Sequence, residues 1–274
     1  MIFNSPDRIE RLTPNSPFGR REDGRPDTPS DLLERLKLVT NDEAWGVLER
    51  RHGYHFQFEG GWPVHLQPDV PLTGRAVTAQ YVPLRPDLNE VVQEIGTGEG
   101  RSGGQNTWII DQLQPGDVLV VDLFGKVEDG TFIGDNLATA ARARTGTGMI
   151  IDGGIRDSLR VNQLTDFPVY CRGIHPSAIY DVTLTAANVP IRVGDATVMP
   201  GDAVLGTRAG VSFIPPHLLQ EVVEVSEDTR QRDVFGKQRL AEGTYTSGEI
   251  DVSVWADHIE ADYQEWAKAN GSGA

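Results

Sequence analysis

Residues 134–157 read GDNLATAARARTGTGMIIDGGIRD. The stretch after Asp135 is rich in alanine, the residue that loses least on becoming helical, so NLATAARARTG is read as a helix. Gly146 or Gly148 ends it. The apolar run in GMIIDGG is then a buried strand. Both ends of this helix–strand unit carry acids. Gly134-Asp135-Asn136 opens it, and Asp152-Gly153-Gly154-Ile155-Arg156-Asp157 closes it.

The same rhythm extends on both sides. GDVLVVDLFG (116–125) is a short apolar run between turn signals, hence a buried strand. SLRVNQL (158–164) is a short helix and PVYCRG (168–173) another strand. A β-α-β-α-β succession implies a partly parallel sheet with right-handed crossovers. RAVTAQYVPL (75–84) alternates and is β-branched, which adds a strand. After residue 180 the chain reads as short antiparallel strands joined by Gly-Asp, Pro-Gly and Ala-Gly turns. A long polar helix follows, with Leu219, Val222, Val223 and Val225 as its apolar positions, ending at Gly243. The tail holds an amphipathic helix carrying Ile259, Tyr263 and Trp266.

Upstream, DTPSDLLERLKLV and TNDEAWGVLERRHG are two helices, with Ser30 as cap of the first and Thr40 or Asn41 as cap of the second; Gly53 stops the second. YHFQFEGGWPVHLQPDVPLTG (54–74) reads as an aromatic loop. RPDLNEVVQEIGTGEGRSGGQNTW (85–108) turns glycine-rich and reads as a mobile connection near a ligand. Residues 1–28 lack periodicity and read as an extended or poorly ordered arm, with a seat on a neighbouring subunit equally open. The resulting division is an arm (1–28), one α/β domain (29–245) and a helical tail (246–274).

The chain of 274 residues carries a net charge of −15, which repels nucleic-acid phosphates, so no nucleic-acid partner is expected. A local basic run, FGRRED (18–23), is followed at once by acids. Cys171 is the one cysteine, which rules out an intrachain disulfide and a cysteine-rich zinc site. No stretch approaches the ~20 apolar residues of a membrane helix, and the first residues have no signal-peptide pattern. A cytoplasmic, membrane-free location is expected.

The chemistry is expected between the two acidic turns. Glycine-bearing turns beyond the carboxyl ends of parallel strands are where such sheets bind ligands. A crossover brings the turn at Gly134 and the turn at Arg156-Asp157 into one crevice. The first turn opens a helix whose free N–H groups suit a carboxylate. Arg156 can grip a carboxylate with its planar fork. Asp135 and Asp157 can hold a hard divalent cation. The competing reading is equally open on spacing alone: Asp135 only caps its helix and Arg156–Asp157 is a solvated pair.

Asp135, twenty intervening residues and then Arg156-Asp157 resemble the D-x20-R-D signature of the RraA-like family. PGDVLVVD (115–122), IGDNLA (133–138), GMIIDGGIRD (148–157) and the later GDATVMPGDAVLG and AGVSFIP resemble it as well, over roughly residues 30–245. The best understood enzymes of that family are class II pyruvate aldolases, such as 4-hydroxy-4-methyl-2-oxoglutarate and 4-carboxy-4-hydroxy-2-oxoadipate aldolase. The resemblance implies a three-layer β/β/α swivelling-domain fold assembled as a homotrimer or homohexamer. It implies Mg²⁺ or Mn²⁺ held by Asp157 with Asp135, and proton transfer or water orientation by Asp135. It implies a 2-oxo acid whose carbonyl or carboxylate meets Arg156 and the turn Gly134, Asn136 and Leu137. The family's ligand-region asparagine corresponds to Asn106 or Asn89, Asn106 being preferred because it follows the Gly103-Gly104 turn. A neighbouring subunit's carboxylate corresponds to Glu224, Glu227 or Asp228. Some members of the family instead bind and inhibit a ribonuclease, a non-catalytic alternative. A methyltransferase assignment finds no glycine-rich nucleotide loop to support it.

This chain is longer than the compact aldolases. His52, His55 and His65 crowd its aromatic loop, where packing is the simpler role and a histidine metal site the alternative. Lys126 is read as an exposed turn lysine, since metal-stabilised enolate chemistry needs no Schiff base.

Overall fold

The alternating runs build one mixed sheet in the computed structural model, which describes residues 3–270. Its strands are β1 (Phe58–Gly60), β2 (Val64–Leu66), β3 (Leu72–Pro83), β4 (Asp117–Thr131), β5 (Met149–Ile155), β6 (Val169–Ile174), β7 (Val182–Ala187), β10 (Ala203–Thr207) and β11 (Gly210–Ile214), while β8 (Ile191–Val193) and β9 (Ala196–Val198) form a separate hairpin. The order is β1-β11-β10-β3-β4-β5-β6-β2, with β7 pairing the far end of β3. β3, β4, β5 and β6 run parallel, and antiparallel strands flank them.

Alternation along β4 separates two cores. Leu119, Val121 and Leu123 face Trp108, Ile109, Ala138, Ala141 and Val161 of the helices. Val118 and Val120 face the other way, toward Ile191, Val193, Ala196 and Val198 of the β8–β9 hairpin. Helices, main sheet and small β layer therefore stack as β/β/α, the architecture implied by the resemblance. Their burial is the main favourable contribution to folding, at about 25 cal/mol per Å² of apolar surface.

Several local expectations need correction. The arm is a structured part of its own chain: Pro6–Leu12 is helical, Ile9 is fully buried, and Asn4 N–H bonds to the Ala187 carbonyl. Arg25 is 1% exposed and forks onto Asp117, at 2.9 and 3.1 Å. Residues 85–108 are not a loose connection, because Pro86–Gly98 is a helix started by proline at its first position and Gln105–Ile110 is a second one. The aromatic loop contributes the edge strands β1 and β2. Ser30 is the first helical residue rather than the cap, which is Pro29. Thr40 is the cap of its helix, in a reciprocal box with Glu43.

The chain divides into two compact units at Val222/Val223, inside the helix Leu219–Glu242. The C-terminal unit has its own small core. Phe235 is buried among Trp255, Tyr263 and Trp266, with ring centroids 5.4, 5.5 and 5.7 Å away.

Candidate active site

The helix Asp135–Thr145 is the crossover between β4 and β5, so the turn before it and the turn after β5 are neighbours by topology. They are in contact. The Arg156 N–H donates to the Ile133 carbonyl at 3.0 Å. A Cβ added at Gly134 would lie 2.4 Å from Asp157 Oδ2 and 2.9 Å from Arg156 Nε. Glycine at 134 therefore leaves the space that both side chains occupy. Asp157 itself has φ 53°, a left-handed conformation that aspartate tolerates better than most residues.

Arg156 Nε stands 3.6 Å from Asp157 Oδ2, with the two side chains 46% and 39% exposed. Asp135 uses one oxygen to accept its own helix's Asn136 N–H, at 3.0 Å, and the other to meet Arg160 Nη1 at 3.1 Å. Among the described residues nothing accepts from the Leu137 N–H. Of the two amides expected to receive a carboxylate, Asn136's is thus engaged locally and Leu137's faces none. Sequence reasoning missed Arg160. Its signal was its place three residues after Asp157, on the short helix Ser158–Val161.

Asn106 is buried, and its Nδ2 donates to the Phe132 carbonyl at 2.8 Å, two residues before Gly134. Asn89 is further removed: it receives Gln105 Nε2 and Thr183 Oγ1, while Gln105 Oε1 accepts the Leu184 N–H. Both asparagines line a cavity of about 280 Å³, together with Gln93, Gln105, Tyr81 and Tyr180. Asn106 thus joins that amide-rich cavity to the strand leading into the Gly134 turn.

The remaining candidates fall elsewhere. His52 pairs with Glu221 at 2.8 Å, and His55 with Glu49 at 3.1 Å. His65 stacks on Tyr170 at 3.9 Å, and burial lowers its pKa to about 4. The three histidines form no common site. Among the described residues no group of three or more His, Cys, Asp or Glu side chains is arranged to hold a metal ion. The half-buried Lys126 lies in an irregular part of β4. Glu224, Glu227 and Asp228 lie on the helix of the C-terminal unit.

Comparison with known proteins agrees with the fold. The family model described as RraA-like, Aldolase/RraA, matches residues 43–212. The chain belongs to the RraA-like family. It is 30% identical over 157 residues to a protein of Halalkalibacterium halodurans provisionally named 4-hydroxy-4-methyl-2-oxoglutarate aldolase, covering 56% of this chain and 73% of that one. It is 28% identical over 222 residues to protein DlpA of Legionella pneumophila, covering 80% of this chain but 33% of that longer protein. Among solved structures, RraAS2 of Streptomyces coelicolor, described as an unusual member of the RNase ES inhibitor RraA protein family, superposes with a TM-score of 0.65 at 27% identity, over 81% of this chain and 100% of that one. An uncharacterized protein of Pseudomonas syringae pv. tomato shares the fold, with a TM-score of 0.64 at 23% identity, over 82% of this chain and 95% of that one. The family includes both aldolases and ribonuclease inhibitors. Among the described residues no helix is long and apolar enough to cross a membrane.

Proposed function

We propose that this protein is a divalent-metal-dependent aldolase that cleaves a 4-hydroxy-2-oxo acid to pyruvate and a carbonyl product. The observation that carries the reading is the contact at Gly134. There a residue without a side chain admits a guanidinium and a carboxylate at the mouth of a helix. An exposed ion pair contributes little to stability, so a fold gains little by shaping a glycine turn around one.

In this reading Arg156 binds the carboxylate and carbonyl oxygens of the 2-oxo acid, and the Leu137 N–H supplies a second donor. Asp135 accepts the C4 hydroxyl proton, directly or across one water, and Arg160 fixes its orientation. Asp157 and Asp135 would hold the cation through their carboxylates, and waters and substrate oxygens would complete a shell that Mg²⁺ ordinarily keeps partly hydrated. When bound, Mg²⁺ or Mn²⁺ supplies the charge that stabilises the pyruvate enolate. The Arg156 charge acts in the same direction. Oxaloacetate decarboxylation passes through the same enolate and is the expected side activity.

The cavity lined by Asn89, Gln93, Gln105 and Asn106 suits a hydroxylated carbonyl half, such as that of a 2-keto-3-deoxy sugar acid. The reading includes a homotrimer or homohexamer in which Glu224, Glu227 or Asp228 of one subunit completes the exposed site of the next. It also includes action in the cytoplasm on a small molecule and not on nucleic acid. A coupled pyruvate assay over a panel of 4-hydroxy-2-oxo acids, with Mg²⁺ or Mn²⁺ and with EDTA, tests it. Activity is expected only with metal. Turnover unchanged in Arg156→Ala or Asp157→Ala would remove these residues from the site. The likeness to RraAS2 favours one alternative, a non-catalytic partner of a ribonuclease. Capture of purified ribonuclease E, with no turnover of any 2-oxo acid, would establish it.

A further inference from the structure

At the amino ends of the parallel strands, opposite to the Gly134 turn, the sheet carries a second buried arginine. Arg75, on β3, is 5% exposed. Its Nε donates to the Thr28 carbonyl at 2.9 Å, Nη2 donates to the same oxygen, and Nη2 also reaches Ser30 Oγ at 3.3 Å. Among the described residues nothing accepts from Nη1. The carboxylate paired with it is Asp27, 4.0 Å from Nε, and that side chain is 54% exposed and shared with Arg21. Arg25, by comparison, meets both Asp117 and Asp23. That Nη1 edge has no protein acceptor among the described residues and is left open to solvent, so it can meet an anion without first being stripped from a partner.

That edge opens on a cavity. Arg75, Ser30, Leu33, Lys37, Leu72 and Gly116 line a space of about 330 Å³, the size of a small-molecule site. Nη1 lies over Gly116, where a Cβ would approach it to 2.6 Å and where φ is 80°. Glycine is therefore required at 116 both for the turn and for the guanidinium above it. Lys37 on the rim is paired with Glu34 at 2.7 Å, and Asp166 adds a second acid to the lining.

We propose that this cavity binds a short aliphatic monocarboxylate, with Arg75 Nη1 and Ser30 Oγ as its donors and Leu33, Val70 and Leu72 around its chain. The lining sets the charge. Arg75 and Lys37 balance Glu34 and Asp166, and Asp27 also lies near Arg75, so the lining has no surplus positive charge to hold a doubly charged phosphate, while Arg75 Nη1 can meet a single carboxylate. The site is independent of the aldolase reading, since it shares no residue with the Gly134 turn.

Calorimetric titration of the full chain tests this. Arg156→Ala is used as background, so that carboxylate binding at the Gly134 turn does not contribute. Butyrate is expected to bind saturably at one site per chain, and phosphate more weakly. Arg75→Met is expected to abolish butyrate binding. Two exposed substitutions test the site without disturbing the fold: Lys37→Glu should weaken butyrate several-fold, and Glu34→Gln should strengthen it. Absence of saturable butyrate binding would overturn the proposal. So would phosphate binding more tightly than butyrate, or an affinity unmoved by both rim substitutions.

Discussion

Two arginine–aspartate pairs mark opposite ends of the parallel strands, and they differ in almost every physical respect. Arg25 and Asp117 are 1% and 0% exposed and joined by a two-pronged fork. Arg156 and Asp157 are 46% and 39% exposed, 3.6 Å apart, and adjacent in sequence. The first pair is satisfied within the chain and holds the arm to the sheet. The second leaves most of its donors and acceptors turned to solvent, as a ligand site requires. A pair's burial, rather than its composition, separates the two roles.

Breaking the buried pair gives the largest expected effect. Arg25→Met strands Asp117 in the core and should destabilise the fold by about 3–5 kcal/mol, read by denaturant unfolding. A loss below about 1 kcal/mol would mean that the arm is not a structural element. The exposed pair should show the reverse. Arg156→Ala should lower kcat/KM about 10²–10³-fold, as for removal of one oxyanion donor, with its unfolding midpoint nearly unchanged. Gly134→Ala sharpens the contrast, because its Cβ must displace Asp157 and Arg156. A cost of about 1–3 kcal/mol is expected for such overpacking, and turnover should fall with it.

A third carboxylate adds pH to the comparison. Asp202 is fully buried and accepts the Met199 N–H at 2.8 Å, yet burial pushes its pKa up to about 7. The folded chain therefore holds this proton where the unfolded chain has lost it. That contribution to stability is complete below about pH 4 and is lost as pH rises toward 7. Asp202→Asn should flatten this part of the stability profile, measured by urea unfolding from pH 4 to 8. An unchanged slope would show that Asp202 is not its source. The smallest expected change is the stability of Asp157→Asn, within about 1 kcal/mol of the parent, as befits an exposed pair.

Much of this was legible in the sequence. PGDVLVVD and GMIIDGG are apolar runs whose burial is almost independent of context, and the crossover rule joins their ends. That is why the sequence alone brings Gly134, Arg156 and Asp157 together. Arg25 was not legible, because its burial depends on Asp117, 92 residues away. The helix Pro86–Gly98 was hidden by the glycines at its end, which mimic a loop. Arg160 escaped notice because only the turn after β5 brings it onto Asp135. The edge strands β1 and β2 are three residues each, too short to show an alternation.

The arm's attachment also has a consequence for how the chain matures. Arg25 leaves the ribosome long before Asp117, and the two meet across 92 residues, so their union closes a long loop and is expected to belong to the non-local part of folding. Until then the first residues are accessible to proteases, and afterwards Ile9 and Arg25 are sealed. The arm is in this sense a fastener, and its resistance to limited proteolysis is expected to report that the sheet beneath it has formed.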